Sequence, residues 1–422
     1  MNIWNKISLI FKDKDLRRKF LFLFAFLAAF RFLASIPIPG IDPERLNAFL
    51  SGSQLFGLLN IFSGGALDNL SIVMLGVGPY ITGSIIMQLL TMIFPSLKEM
   101  YQEDGEAGKQ KFNQYSRLLT LPLALVQGFG LITLLERQGV LSLSAPEKIG
   151  NMLIVAAGSV LLMWIGELIS EYSIGNGVSI MIFAGIVSSV PLSIGQTLLS
   201  FDQSQFPTLL AFLIVGVITV AAVVIITEGE RKIPVYYAKR IRGMRMYGGT
   251  STHLPLRVNQ AGVIPIIFAL SILLFPQMIA SFLSSSSNVF VKELSSFALG
   301  IIANQLVYGL LYFVLVVLFT YFYTSVTFDP EAISNNLQRG GAFVPGIRPG
   351  PPTAVFLHKI VSRITLVGAL FLGGIAVLPL ILQGATGITT LTIGGTALLI
   401  VVSVVLETSK QIEAQLSLRT YE

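Results

Sequence analysis

The chain has 422 residues, of which 53% are hydrophobic and only 12% are charged, with a formal net charge of +6. Soluble domains carry about 25% charged residues, so this composition excludes an ordinary water-exposed surface and favours a lipid bilayer as the solvent. The absence of cysteine excludes disulfides, thiolate metal sites and cysteine nucleophiles. The two histidines, His253 and His358, fall in polar stretches and are interpreted as loop residues. We therefore expect no metal site, no cofactor and no catalytic residue.

The first apolar run follows a polar, charged segment that extends to residue 19. It ends at Pro37-Ile38-Pro39-Gly40 without a small-residue cleavage site, which favours a retained first span over a cleaved signal. About 20 apolar residues cross a hydrocarbon core, and ten runs of that kind occur along the chain. In order, the predicted spans are residues 20–36, 72–94, 118–135, 152–169, 174–190, 206–227, 261–283, 299–323, 364–382 and 388–406.

The distribution of basic residues predicts the orientation, because loops rich in Lys and Arg remain on the cytoplasmic side. With a cytoplasmic N-terminus, 23 of the 28 Lys and Arg residues fall on cytoplasmic segments. Two of these segments are long basic loops, residues 228–259 and 327–362. Both termini are therefore predicted to be cytoplasmic. The loop charges either serve orientation alone or form a docking surface for a large anionic or acidic partner, such as a ribosome or an acidic motor protein.

Ten spans divide into two sets of five, residues 1–195 and residues 196–422. Because five is odd, the second set starts on the opposite side of the membrane, which is the topology of an inverted repeat. Residues 51–71 do not fit a span, since they are too short and too rich in glycine. Irregular backbone at membrane depth persists only inside protein or beside a water-filled cavity. Taken alone, this segment is better interpreted as an external loop with a short amphipathic helix.

The spans are almost free of ionisable residues, and Arg31 and Glu167 lie near span ends. Ion-coupled transporters usually bury such residues in mid-span. Residues 105–110 (GEAGKQ) lack the spacing and the Ser or Thr of a phosphate loop. Neither H-E-x-x-H nor G-x-S-x-G occurs, so an intramembrane protease finds no support. A secondary transporter of small molecules remains the alternative to a channel.

Several motifs follow one another along most of the chain. They are residues 62–67 (FSGGAL), 78–81 (GPYI) with 84–90 (SIIMQLL), 166–167 (GE) with 175–180 (GNGVSI), 231–240 (RKIPVYYAKR), 258–265 (VNQAGVIP) and 341–350 (GAFVPGIRPG). Together they resemble the SecY/Sec61-alpha translocon channel family, in its bacterial branch. The resemblance implies an all-α integral membrane protein with ten transmembrane helices in two pseudo-symmetric inverted halves of five. It also implies a short re-entrant plug helix at about residues 55–71.

The resemblance implies the central channel-forming subunit of a Sec protein translocase. Such a subunit conducts unfolded secretory polypeptides and releases hydrophobic segments sideways into the bilayer through a lateral gate. The implied partners are the small membrane subunits SecE and SecG, the SecA motor ATPase, the ribosome, polypeptides that bear signal sequences, and the lipid bilayer. The implied location is the bacterial plasma (inner) membrane. No enzymatic activity is implied.

The resemblance also assigns roles to individual residues. A pore ring falls on Ile81, Ile85, Ile182, Ile267 and Ile400; the plug on Phe62, Ser63, Gly64, Gly65, Ala66, Leu67, Asp68, Asn69 and Leu70; and cytoplasmic partner contacts on Lys232, Lys239, Arg240 and Arg348. Phe275 falls on the lateral gate between spans two and seven. We add Gln88, because an amide inside a span needs a polar partner or a wet cavity.

Physical reasoning agrees with these roles. Ile81 and Ile85 are four residues apart and therefore share one helix face. An aliphatic constriction closes by dewetting, so it resists ion leakage without binding a passing chain. Gly64 and Gly65 permit unusual backbone dihedrals, and a short, weakly anchored plug would move at a small cost in free energy.

Overall fold

The structure is a computed structural model. It describes residues 13–420 apart from residues 41–62, 64, 68, 138, 173–174, 200–205, 238–239, 243–244, 248–250, 284–287 and 387–393. Within the described ranges the chain is mostly helical. The helices are α1 (Lys14–Ala34), α2 (Gly78–Ile93), α3 (Pro95–Gln102), α4 (Gly105–Arg137), α5 (Ala145–Tyr172), α6 (Gly177–Leu199), α7 (Phe206–Glu228), α8 (Ile264–Leu283), α9 (Val289–Ala303), α10 (Gln305–Thr327), α11 (Pro330–Arg339), α12 (Pro351–Thr386) and α13 (Gly394–Thr420). The strands are β1 (Glu230–Tyr237), β2 (Arg240–Arg242), β3 (Arg245–Tyr247), β4 (Ser251–Arg257) and β5 (Ala342–Phe343).

The ten predicted spans overlap, in order, α1, α2, α4, α5, α6, α7, α8, α10, α12 and α13, and the eighth also overlaps α9. Among the described residues, five helices are long and apolar enough to cross a membrane, namely α4, α5, α7, α10 and α12. Helices α2 and α3 are bent by 117° relative to each other, and they form a sixth candidate span if the pair is counted as one element. Helices α6 and α8 contribute shorter apolar stretches, Gly177–Pro191 and Ile264–Leu273. Several membrane-spanning helices are thus present, and the number ten stays a prediction.

The bend between α2 and α3 has a local cause. Phe94 adopts an extended backbone (φ −109°, ψ 107°), and Pro95 is the first residue of α3. A proline disfavours helical geometry in the residue before it and is tolerated in the first turn of a new helix. Helix α2 also begins later than the predicted span, at Gly78, because residues 72–77 form turns.

The predicted start of the eighth span is wrong. The apolar run suggested residues 299–323, but α9 ends at Ala303 and a separate helix, α10, starts at Gln305. The side chain of Asn304 accepts hydrogen bonds from the backbone N–H groups of Leu306 (3.1 Å) and Val307 (3.4 Å). Asn304 therefore caps α10. A single capping residue divides an apolar run that hydropathy alone reads as continuous.

The two basic loops contain regular structure, so the expectation of an all-helical chain needs correction here. Strand β1 pairs antiparallel with β4 on one side and with β5 on the other, giving the order β4-β1-β5. The second loop also contributes α11 and the start of α12. A small apolar core joins the sheet to α12 and consists of Ile233, Leu256, Val344, Leu357 and Val361. We call this set the sheet core.

The histidines are likewise not loop residues. His253 lies in β4 and His358 lies in α12, and both are exposed.

The turn between α5 and α6 explains why residues 166–180 are rich in glycine. A Cβ atom at Gly177 would overlap the backbone carbonyl oxygen of Gly166, so the two helices approach as only glycine permits. The Ser170 hydroxyl donates to the Gly166 carbonyl (3.0 Å) and accepts from the Gly177 N–H (2.8 Å). Helices α5 and α6 therefore form the tight helical pair expected for the fourth and fifth spans.

Candidate functional site

The five isoleucines predicted for the pore ring lie on four helices and are buried in one continuous apolar core. Ile81 and Ile85 lie on α2, Ile182 on α6, Ile267 on α8 and Ile400 on α13, with exposed fractions between 1% and 9%. Helices α2 and α6 belong to the first half of the chain, and α8 and α13 belong to the second. The fold thus brings aliphatic side chains from both halves into one apolar core.

The side chains of the five isoleucines carry no hydrogen-bonding groups. Such side chains cannot coordinate an ion or replace its hydration shell, so a narrow aliphatic passage excludes ions by dewetting. They also offer no fixed polar contact to a polypeptide. The arrangement can therefore close a passage without selecting for particular side chains.

The described part of the plug segment is folded tightly against the chain. The Ser63 hydroxyl accepts a hydrogen bond from the Leu67 N–H at 3.1 Å, and the Ser71 N–H donates to the Ala66 carbonyl at 3.0 Å. Gly65 has φ 81°, a left-handed conformation that glycine adopts without strain. Ala66, Leu67 and Leu70 are fully buried, and Asn69 is exposed. Phe62, Gly64 and Asp68 lie outside the described residues.

The end of the plug segment is anchored more firmly than the sequence suggested. The Ile38 N–H donates to the Leu70 carbonyl at 3.0 Å, and the Ile72 N–H donates to the Ile36 carbonyl at 2.9 Å. These bonds join the segment to the chain that follows α1. Because they form a short antiparallel bridge, a movable plug would have to bend before this point, at residues nearer to Ser63.

A predicted plug residue and a predicted ring residue line the same narrow packing gap, which has no room for a water molecule. The gap is lined by Phe30, Ser63, Gly76, Val77, Leu162, Met181 and Ile182. Ser63 is a predicted plug residue, and Ile182 is a predicted ring residue. The segment after α1 thus lies directly against the aliphatic centre.

Ser159 and Gly158, on α5, were missed by the sequence reasoning. The Ser159 hydroxyl donates to the Gly76 carbonyl at 2.8 Å, and a Cβ atom at Gly158 would overlap the Ile72 carbonyl oxygen. These small residues hold the turns that join the plug segment to α2. A pair of small residues in mid-span is a recognised signal of close helix packing and could have identified them.

The lateral-gate residues are only partly described. Helix α8 packs against α2 and α4, which is the contact between the seventh span and the second that the gate requires. Gln88 lies on α2, and its Oε1 atom is buried without a hydrogen-bond partner among the described residues. Phe275 lies on α8 directly before Pro276, which falls inside that helix. The side chain of Phe275 lies outside the described part of the chain.

Two of the predicted cytoplasmic contacts, Lys232 and Arg348, lie on or beside the β4-β1-β5 sheet. Arg348 is exposed on the turn between β5 and α12, and Lys232 is exposed on β1, with its Nζ atom 3.3 Å from Glu230 Oε1. The turn is braced because Thr353 donates to the Arg348 carbonyl (2.8 Å) and Ser334 donates to the Gly350 carbonyl (2.6 Å). Lys239 and the side chain of Arg240 lie outside the described residues.

Comparisons with known proteins agree with this arrangement. A profile of the SecY family matches residues 71–409. Proteins named protein translocase subunit SecY from Mycobacterium tuberculosis H37Rv and Corynebacterium glutamicum are 43% and 44% identical to the chain. The alignments cover 97% and 98% of this chain and 96% and 98% of those proteins.

Solved structures share the fold at lower identity. A protein-conducting channel matches with a TM-score of 0.64 and 19% identity, and canine Sec61 from a ribosome–channel complex of the endoplasmic reticulum matches with a TM-score of 0.60 and 18% identity. Each match covers 94% of this chain and 92% of the other. The family profile and the close full-length relatives together show that the chain belongs to the SecY family.

Proposed function

We propose that the protein is the channel-forming subunit of a protein translocase, and that Ile81, Ile85, Ile182, Ile267 and Ile400 form its pore ring. The observation that carries this proposal is the convergence of these five side chains, from four helices and both halves of the chain, in one apolar core. An unfolded polypeptide would pass between the two halves, and the aliphatic ring would close around it. The ring needs no chemistry of its own, so the protein would have no enzymatic activity.

The membrane arrangement follows from charge and hydropathy. Ten spans would be arranged in two inverted halves, residues 1–195 and 196–422, with both termini and the β4-β1-β5 sheet in the cytoplasm. The basic residues of the loops support this orientation. The motifs of this chain resemble those of the bacterial branch of the family, which supports the bacterial plasma membrane as the location.

The plug and the lateral gate would serve the two exits of the channel. The segment that includes Ser63 would close the external side, since Ser63 and Ile182 line the same narrow packing gap. Hydrophobic segments would leave toward lipid between α2 and α8. There the buried Oε1 atom of Gln88 has no hydrogen-bond partner among the described residues. Burying an amide without a hydrogen-bond partner costs free energy. A gate that opens to water or to a passing chain would provide such a partner.

The cytoplasmic sheet would bind the partners that drive transport. Arg348 and Lys232 are exposed there, and Lys239 and Arg240 are the two further contacts that the family motif implies. Canine Sec61, which shares the fold, was solved in a ribosome–channel complex, which supports a ribosome as one partner. The SecA motor and the small subunits SecE and SecG are inferred from the family resemblance.

The alternative, a secondary transporter of small molecules, requires polar ligands for its substrate near mid-span. Among the described residues, the buried side chains with polar atoms are those of Ser, Thr, Asn and Tyr, and no Asp, Glu, Lys or Arg is buried. A charged substrate or coupling ion would thus meet no buried countercharge in this part of the chain. We therefore favour the channel.

Site-specific photocrosslinking tests the proposal. Ile85 and Ile267 would each be replaced by a photoreactive amino acid, in membranes that carry a stalled secretory chain. The matched control is Ile381, an isoleucine on α12 that is 61% exposed on the outer surface of the helices. We expect adducts with the stalled chain at Ile85 and Ile267 and none at Ile381.

Two results would contradict the proposal. One is the absence of adducts at both buried positions while the stalled chain co-purifies with the protein. The other is saturable exchange of a small solute by the purified, reconstituted protein, which would favour the transporter.

A further inference from the structure

An open groove lies outside the proposed channel, between strand β1 and helix α12. Its volume is about 510 Å³. Three basic residues line it, Arg231 from β1 and Lys359 and Arg363 from α12, together with apolar residues that include Ile364 and Val367. Neither the pore ring nor the predicted partner contacts use these residues.

The three cations of the groove have no ion-pair partner in the described part of the chain. The described residues that line the groove include no Asp or Glu. Like charges that share a site repel one another, and an anion between them would relieve this repulsion. The groove is therefore electrostatically prepared for a negatively charged group.

The groove is also amphipathic along the axis of α12. Lys359, Arg363 and Val367 recur at intervals of four residues and so lie along one face of the helix. The ninth predicted span begins at residue 364, which puts the basic residues just before the apolar stretch and Val367 within it. Val367 is 54% exposed. A free phosphate or sulfate would match the basic end but would leave the apolar end uncovered.

We propose that this groove binds an anionic phospholipid from the cytoplasmic leaflet. Its phosphate lies among Arg231, Lys359 and Arg363, and an acyl chain lies along Ile364 and Val367. Because Arg231 belongs to β1, the lipid joins the cytoplasmic sheet to the bilayer surface. The inference rests on the proposed orientation of α12 in the membrane and does not depend on which residues form the pore ring.

Tryptophan quenching by brominated lipids tests the site in the full-length chain. Trp4 and Trp164, the two native tryptophans, are replaced by phenylalanine, and Val367→Trp supplies the reporter. The protein is placed in nanodiscs of phosphatidylcholine that contain a small fraction of either brominated phosphatidylglycerol or brominated phosphatidylcholine. We expect quenching to favour phosphatidylglycerol at least about fivefold, the preference that one basic residue near an anionic lipid provides.

Two triple variants separate the groove from general surface charge. Arg231→Gln, Lys359→Gln and Arg363→Gln together should abolish the preference for phosphatidylglycerol. The matched control, Lys98→Gln, Lys109→Gln and Lys111→Gln, removes the same charge from exposed residues on the same predicted side of the membrane and should retain the preference. Native mass spectrometry provides a second readout that needs no reporter. It measures how much phosphatidylglycerol and how much phosphatidylcholine remain bound to the protein without the Val367→Trp change.

Three outcomes would overturn the proposal. They are equal quenching by the two lipids in the parent protein, equal loss of preference in both triple variants, and displacement of phosphatidylglycerol by soluble glycerol phosphate. Loss of quenching when the small membrane subunits are bound would instead assign the groove to a protein partner. Quenching does not depend on transport, so a failure of the lipid site and a failure of the channel proposal are distinguishable.

Discussion

The hydroxyl group of Ser159 donates a 2.8 Å hydrogen bond to the backbone carbonyl of Gly76, and Ser159 is fully buried. The bond joins the middle of α5 to the turns between the plug segment and α2. The adjacent Gly158 has no side chain, so the Ile72 carbonyl oxygen lies where a Cβ atom would be. Two neighbouring small residues thus determine where the start of α2, and with it Ile81 and Ile85, lies relative to the rest of the first half.

Replacement of Gly158 by alanine should destabilise the protein. The added methyl group would meet backbone atoms, which cannot rotate away, and such overpacking costs about 1–3 kcal/mol. The midpoint of thermal unfolding in detergent measures this loss. Gly150→Ala, on the same helix with no atom within 4 Å of the added Cβ, is the control and should leave the midpoint unchanged or raise it, because alanine favours helix. Equal midpoints for the two variants would show that α5 and the turns are not in close contact.

Replacement of Ile85 by asparagine should make the resting channel leak ions. A polar amide in a buried aliphatic constriction would recruit water and remove the dewetting barrier. Conductance of the reconstituted protein in planar bilayers, without any translocating chain, measures the leak. Ile93→Asn, on the same helix but 68% exposed, is the control and should leave the conductance at its resting value. An unchanged resting conductance in the Ile85→Asn variant would mean that the ring is not the barrier to ions.

Replacement of Leu357 by alanine should loosen the cytoplasmic sheet without affecting the spans. Leu357 is fully buried in the sheet core, beside Ile233 and Leu256. Removal of a buried leucine side chain costs about 2–5 kcal/mol, which is comparable with the stability of a small unit of this kind. We expect faster trypsin cleavage between residues 228 and 257 on gels. Val355→Ala, at an exposed position of the same helix, should keep the parent cleavage rate.

Reversal of charge at Arg348 should weaken binding of the cytoplasmic partner while the turn keeps its shape. The backbone of the turn is braced by Ser334 and Thr353, and the Arg348 side chain is exposed. Loss of a charged contact of about 1.5–3 kcal/mol corresponds to at least about a tenfold lower affinity. Titration of ribosomes or of the motor ATPase onto nanodiscs measures the affinity of Arg348→Glu. The control is Lys109→Glu, and an equal loss there would assign the effect to overall charge.

Hydropathy and charge alone predicted where the apolar helices lie and which ends are basic. These are properties of single residues and short windows, since the cost of placing a side chain in lipid or in water depends little on its neighbours. The same reasoning failed at Asn304 and in the two basic loops. A capping hydrogen bond divides one apolar run, and the pairing of β1 with β4 and β5 depends on residues far apart in the chain.

By itself, the sequence determined the composition of the spans, the basic side of the protein and, through its motifs, the family. Only the tertiary structure decided which faces of the helices meet. It buried Ile85 in one apolar core with Ile182, Ile267 and Ile400. It also placed Ser159 against Gly76 and left Arg231, Lys359 and Arg363 around one groove. The physical reason is that all the spans are about equally apolar, so the choice of neighbours rests on the fit of small residues and on a few hydrogen bonds. That fit exists only once distant segments are brought together.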